Sequence, residues 1–244
     1  MNQSRISMAG LTIQIDHLYN SIADTAKDYL AEKAPYDFTV AITEADLAAE
    51  QLLTAREYRL EGKQPLCFPP DALEVTAIHR KIAEQLPRYD AVVFHGSAVA
   101  IGDKAYLFTA KSGVGKTTHS GLWLREIEGS YIVNGDKPVL RVMDGKIMAC
   151  GTPWMGKEHL GCNRMVPLEA ICLLERGEEN TIHEISFSEA LPVLIEQTYR
   201  SAGREVMAAT LDVLKSIGQS VKLYQLSCNM EPEAAHVSYE GMCL

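Results

Sequence analysis

No apolar run in this chain approaches the ~20 residues that a membrane-spanning helix requires. Positive charge is also in deficit: 23 Lys and Arg stand against 32 Asp and Glu, a formal net charge of −9. Such an acidic chain is disfavoured as a nonspecific binder of nucleic acid or anionic membrane, because both reward a basic surface. The opening residues Met1-Asn2-Gln3-Ser4-Arg5 lack the apolar core of a signal peptide. The six cysteines, at 67, 150, 162, 172, 228 and 243, form no close pairs. In a chain of 244 residues that scatter reads as reduced, mostly buried thiols and predicts a cytoplasmic protein. Internal repeats and low-complexity segments are missing as well. The length suffices for one large domain or two small ones with a sizeable core.

Two regions are expected, 1–89 and 90–244. In the first, Leu11-Thr-Ile-Gln-Ile15 and Phe38-Thr-Val-Ala-Ile42 alternate as short strands, with a helix predicted between them over Leu18–Leu30. Thr43 followed by Asp46 offers a capping pattern ahead of an alanine- and leucine-rich helix ending near Tyr58. The stretch 61–70 is a loop, and Asp71 caps a helix with Ile78, Ile82 and Leu86 four residues apart on one face. This small α/β region shows no chemistry of its own; packing, substrate docking and self-association into a homo-oligomer are the roles open to it.

The second region carries the chemistry. A β-rich run, Ala91–Ile101, meets the strand Lys104–Thr109 across Gly102-Asp103, a hairpin signal. Next comes Ser112-Gly113-Val114-Gly115-Lys116-Thr117-Thr118, with a helix predicted over Thr117–Glu128 and Gly129 at its end. Strand, glycine loop and helix in this order suit phosphate binding. Glycines let backbone N–H groups approach an anion, and the following helix aims its positive end at it. Lys116 would reach the β- and γ-phosphates and Thr117 the Mg²⁺ ion. The usual first glycine of such a loop is Ala110 here. A second hairpin is expected around Asp144-Gly145. Beyond it, Leu168–Leu174 reads as a buried strand with Thr181–Ile185 beside it, then helices at Ser188–Tyr199 and Glu205–Ile217, a strand at Val221–Leu226 and a last helix from about Glu231. A mixed sheet with helices follows, because an antiparallel partner immediately precedes the loop strand.

Four features stand in one order: His95-Gly96, the glycine loop, Val133-Asn-Gly-Asp-Lys-Pro138, and Gly151-Thr-Pro-Trp154 with Gly156-Lys157. Over roughly 91–236 this resembles the catalytic domain of HPr kinase/phosphorylase and, more distantly, the nucleotide domain of ATP-dependent phosphoenolpyruvate carboxykinase. It is also similar to a group of HPr-kinase-like proteins that share the Thr-Pro-Trp element and an Asn-Met-Glu-Pro-Glu-Ala ending, here Asn229–Ala234. The resemblance implies an α/β, mixed-sheet P-loop domain with ATP and Mg²⁺ as cofactors. It implies that residues 112–118 hold the nucleotide, that His95 lies near the transferred phosphoryl group, and that Thr117 and Asp136 serve the metal. It also implies a kinase acting on a hydroxyl of a protein serine or a small molecule. The family pairs two aspartates where this chain has Gly135-Asp136. A missing base of that kind is worth ~10²–10⁴ in rate, which keeps open a nucleotide-binding regulator or a catalytically degenerate kinase. A carboxykinase-type lyase is the less favoured third reading. Lys157, Arg164 and Arg200 are candidate contacts to the acceptor or to transition-state charge.

Overall fold

The structure is a computed structural model that describes residues 2–31, 35–60, 62, 64–111, 113–199 and 203–243. It divides into two compact units, Met1–Glu84 and Gln85–Leu244. No described helix is long and apolar enough to cross a membrane.

The first unit is built on a three-stranded sheet of β1 (Asn2–Met8), β2 (Leu11–His17) and β3 (Phe38–Ala41). The N-terminal strand β1, absent from the sequence reading, pairs antiparallel with β2, and β2 pairs parallel with β3. Ile6, Met8, Ile13 and Ile15 alternate into the core. The helix predicted over Leu18–Leu30 is much shorter: α1 spans Ser21–Thr25, and a 3₁₀ turn at Lys27–Tyr29 follows. The bond from the Ala26 N–H to the Ile22 carbonyl closes α1. Two longer helices complete the unit, α2 (Glu44–Leu60) and α3 (Pro70–Gln85). Asp46 accepts from both the N–H and the hydroxyl of Thr43 at 2.8 Å, as the capping pattern suggested.

The second unit is a mixed α/β fold on a curled nine-stranded sheet. Its elements are β4 (Ala91–Val93), β5 (Ser97–Ile101), β6 (Lys104–Thr109), α4 (Lys116–Glu126), β7 (Ser130–Asn134), β8 (Val139–Met143), β9 (Lys146–Cys150), β10 (Met165–Arg176), β11 (Thr181–Glu184), α5 (Phe187–Gln197), α6 (Arg204–Ser220), β12 (Lys222–Cys228) and α7 (Glu233–Cys243). The sheet runs β4-β8-β9-β10-β6-β5-β7, with β12 also paired to β10 and β11 to β12. Both hairpins form, β5–β6 and β8–β9. The strand at Thr181–Glu184 departs from expectation, because it pairs antiparallel with β12, which lies between it and β10.

β10 carries the curl. Its first three residues pair with β9, and from Leu168 onward it pairs parallel with β6. The central strands bury both faces, as a sheet covered on two sides requires. Ala105 and Leu107 face a layer with Leu194, Val213, Leu214 and Ile217 of α5 and α6. Tyr106 and Phe108 face the opposite layer, with Leu122 and Trp123 of α4 and Ala234 and Ala235 of α7. All six cysteines are free; Cys150 and Cys172 are buried and Cys67 is exposed, so fewer are buried than the sequence suggested.

Candidate functional site

The run Ala91–Ile101 is not one strand. It breaks at 94–96, between β4 at one end of the sheet and β5 near the other. The chain makes a second crossing of the same kind at 135–138, between β7 and β8. The two crossings run side by side: the Phe94 N–H donates to the Pro138 carbonyl at 2.9 Å and the Gly96 N–H to the Asp136 carbonyl at 3.0 Å. His95 therefore sits in a crossing and not on a strand, and Asp136 sits in the other. Their side chains meet, His95 Nε2 lying 3.4 Å from Asp136 Oδ1.

Each partner is fixed from behind. The His95 N–H donates to the Gln197 carbonyl at 2.7 Å, and the Thr109 hydroxyl donates to the His95 carbonyl at 2.9 Å. Asp136 depends on Asn134, which is wholly buried. The Asn134 Oδ1 accepts from the N–H groups of Asp136 (2.9 Å) and Lys137 (2.7 Å), the side-chain-to-backbone pattern that shapes an Asx turn. Its Nδ2 donates to the carbonyl and hydroxyl oxygens of Thr152, both at 3.0 Å. The Thr152 hydroxyl in turn donates to the Lys137 carbonyl at 2.8 Å. The sequence motifs contain both segments but do not identify Asn134 and Thr152 as the supports of Asp136. An Asn two residues before the carboxylate was the available signal.

Facing this pair is the glycine loop at the C-terminal end of β6. Gly113 (φ +81°) and Gly115 (φ +135°) occupy backbone conformations that side chains disfavour. Gly115 is the N-cap of α4 and supplies no side-chain cap, so the first N–H groups of the helix remain directed outward. Lys116 folds back to donate to the Ala110 carbonyl at 2.9 Å.

His95, Asp136, Lys116, Gly113, Gly115, Thr117, Thr118 and Lys157 line one cavity of about 520 Å³. Val114 lines a neighbouring cavity instead. Ser112 and Arg200 lie outside the described residues. Arg164 is not among the lining residues; its guanidinium lies over the Tyr131 ring, 5.3 Å from the centroid.

The cavity brings both signs of charge together, with Lys116 and Lys157 against Asp136 and Glu158. Desolvation alone would raise the Asp136 pKa, but the His95 contact and the charges of Lys137 and Lys116 outweigh it and keep the carboxylate ionised below its ordinary range. For His95 the Asp136 hydrogen bond pulls upward, while burial and the two lysines pull harder the other way. His95 is thereby held below the usual imidazole range, with its Nε2 facing the Asp136 carboxylate. Burial also lowers the Lys116 pKa, against the pull of Asp136. A carboxylate so held can accept a proton, and the uncapped helix start with Lys116 suits an anion.

Thr117 and Asp136 present the oxygen donors that a hard divalent cation prefers. Among the described residues no cluster of three or more His, Cys, Asp or Glu could hold a metal unaided. A metal here would share its coordination with an anionic ligand and water.

Gly135 has little room for a side chain. A Cβ there would lie 3.1 Å from the Met155 carbonyl oxygen and 3.2 Å from that of Leu160. The segment 155–161 thus packs over the backbone where a second aspartate would start, and Gly156 would bring its own Cβ to 2.9 Å from that of Asp136.

No family model matches this chain, and no curated protein does. Among solved structures it is similar to the Hpr(Ser) kinase/phosphatase from Coxiella burnetii, at a TM-score of 0.35 and 9% identity over 61% of this chain and 94% of that one. That is a distant structural likeness, and it assigns no role to any residue.

Proposed function

We propose that this chain binds a nucleoside triphosphate with Mg²⁺ at the loop 112–118 and transfers the terminal phosphoryl group to an acceptor hydroxyl. One observation carries the reading: the His95–Asp136 pair and the start of α4 with Lys116 line the same cavity. The loop amides and Lys116 would bind the phosphates, and the lysine would exchange its bond to the Ala110 carbonyl for a phosphate oxygen. Thr117 and Asp136 would hold the cation, which neutralises charge on the β- and γ-phosphates when bound. Asp136 would accept the proton of the attacking hydroxyl. His95, its Nε2 facing that carboxylate, would orient it. ATP is the expected donor, and the acceptor is a protein serine or a small molecule. Calorimetric titration tests the phosphate site: Lys116→Ala should abolish Mg·ATP binding, and undiminished binding would overturn the reading.

A second reading is a nucleotide-binding regulator that turns over slowly or not at all. It is favoured by Gly135, where packing by Met155 and Leu160 leaves little room for a second aspartate beside Asp136. Single-turnover hydrolysis of Mg·ATP separates the two. Turnover lost in Asp136→Asn supports the kinase, whereas tight binding without turnover in the native chain supports the regulator.

A further inference from the structure

A second cavity, of about 380 Å³, opens on the other side of the glycine loop. Gly113, Gly115 and Thr118 line both cavities, so the loop is the wall between them. The second cavity lies at the C-terminal ends of β10 and β12, the strands that extend the parallel run begun by β6. Crevices at the carboxyl ends of parallel strands are where α/β sheets take up ligands.

We propose that this second cavity seats the base of the nucleotide, a planar aromatic ring placed against Met230. The inference rests on the phosphate reading above. Its chemistry differs from that of the first cavity. Val114, Leu174 and Met230 give it apolar walls, and none of the carboxylates and lysines of the first cavity lines it. Met230 is 77% exposed, a polarisable apolar side chain standing in water at the edge of an apolar recess. A flat π-face laid on it would remove that surface from water. His119 also lines the recess.

Arg176 couples the recess to the loop. Its Nη2 donates to the Gly113 carbonyl at 2.6 Å and its Nε to the Val114 carbonyl at 3.4 Å. The wall of the recess and the curvature of the loop are thereby held by one side chain. A ligand with its phosphates on the loop amides would reach the recess past Gly113 and Gly115, which line both cavities. Inorganic phosphates would occupy the first cavity alone.

The test titrates the full chain with Mg·ATP and with Mg²⁺ and inorganic triphosphate, for the native protein, Met230→Ser and Met230→Trp. ATP is expected to bind roughly tenfold or more tightly than inorganic triphosphate, the scale of stacking one base. Met230→Ser should shrink that ratio by about threefold or more, Met230→Trp should keep or widen it, and triphosphate affinity should be equal in all three. Equal affinity for the two ligands in the native chain, or a ratio that neither substitution moves, overturns the base site while leaving phosphate binding intact. Failure of both ligands to bind overturns the phosphate reading itself, and the base site with it.

Discussion

Substituting Gly135 by aspartate looks, from the sequence, like restoring a lost catalytic carboxylate. The packing predicts instead that Gly135→Asp damages the protein. Its Cβ would enter 3.1 Å from the Met155 carbonyl oxygen, 3.2 Å from the Leu160 carbonyl oxygen and 3.9 Å from the Leu160 Cβ. Those neighbours have little freedom to retreat. The Gly135 N–H donates to the Leu160 carbonyl at 3.0 Å, and the Cys162 N–H to the Val133 carbonyl at 3.1 Å. The overpacking term is about 1–3 kcal/mol. The stiffer unfolded chain returns about 0.4–1 kcal/mol. The net is a destabilisation of up to about 2.6 kcal/mol, or up to roughly 5–10 °C in Tm for a protein of this size. Scanning calorimetry on the native chain, Gly135→Ala and Gly135→Asp measures it, with alanine isolating the Cβ from the charge. ATP turnover should not rise in Gly135→Asp. An unchanged Tm together with a gain in turnover would refute the argument, and would mean that the segment 155–161 yields and that one carboxylate was all the site lacked.

Asn134→Ala removes the acceptor for two backbone N–H groups and the donor to Thr152, so it should cost about 2–4 kcal/mol by urea unfolding. Because it releases Asp136 and leaves Lys116 in place, it should lower phosphoryl transfer about 100-fold with little change in Mg·ATP affinity; equal losses in both would contradict a positioning role. The pH dependence of stability should report His119. Its Nε2 bonds to the Ser238 hydroxyl at 3.0 Å, its Nδ1 has no hydrogen-bond partner, and burial lowers its pKa to about 4. A histidine held neutral in the fold but free to charge when unfolded leaves stability intact above pH ~6.5 and removes up to about 3 kcal/mol as pH falls to about 4. Urea midpoints across that range should fall with pH, and His119→Gln should flatten the slope. A slope indifferent to His119→Gln would assign the acid sensitivity elsewhere.

The chemistry-bearing residue types were legible one segment at a time. Glycines at 113 and 115, a lysine and hydroxyls at the start of a helix, and two Gly-marked hairpins are local signals, because φ preference, helix polarity and period-two alternation act within a few residues. That reach ends where contacts become long-range. The strand Thr181–Glu184 was placed beside the wrong neighbour, since pairing order is set by the parallel insertion of β12 and not by succession in the chain. The missed β1 has the same origin, because a strand needs a partner and sequence names none; the predicted helix stops short of Leu30, which bridges to Ile6 of β1.

What the sequence by itself determined is the loop: its backbone freedom, its cation and its place ahead of a helix. The meeting of His95 with Asp136 was decided only in three dimensions. Those residues are far apart in the chain and come together because a curled sheet forces β4 to β5 and β7 to β8 to cross side by side, with backbone hydrogen bonds locking the crossings. The same tertiary packing fills the space beside Gly135 with the carbonyls of Met155 and Leu160. No local rule contains that fact, because it is a distance between segments that only the completed fold brings within contact.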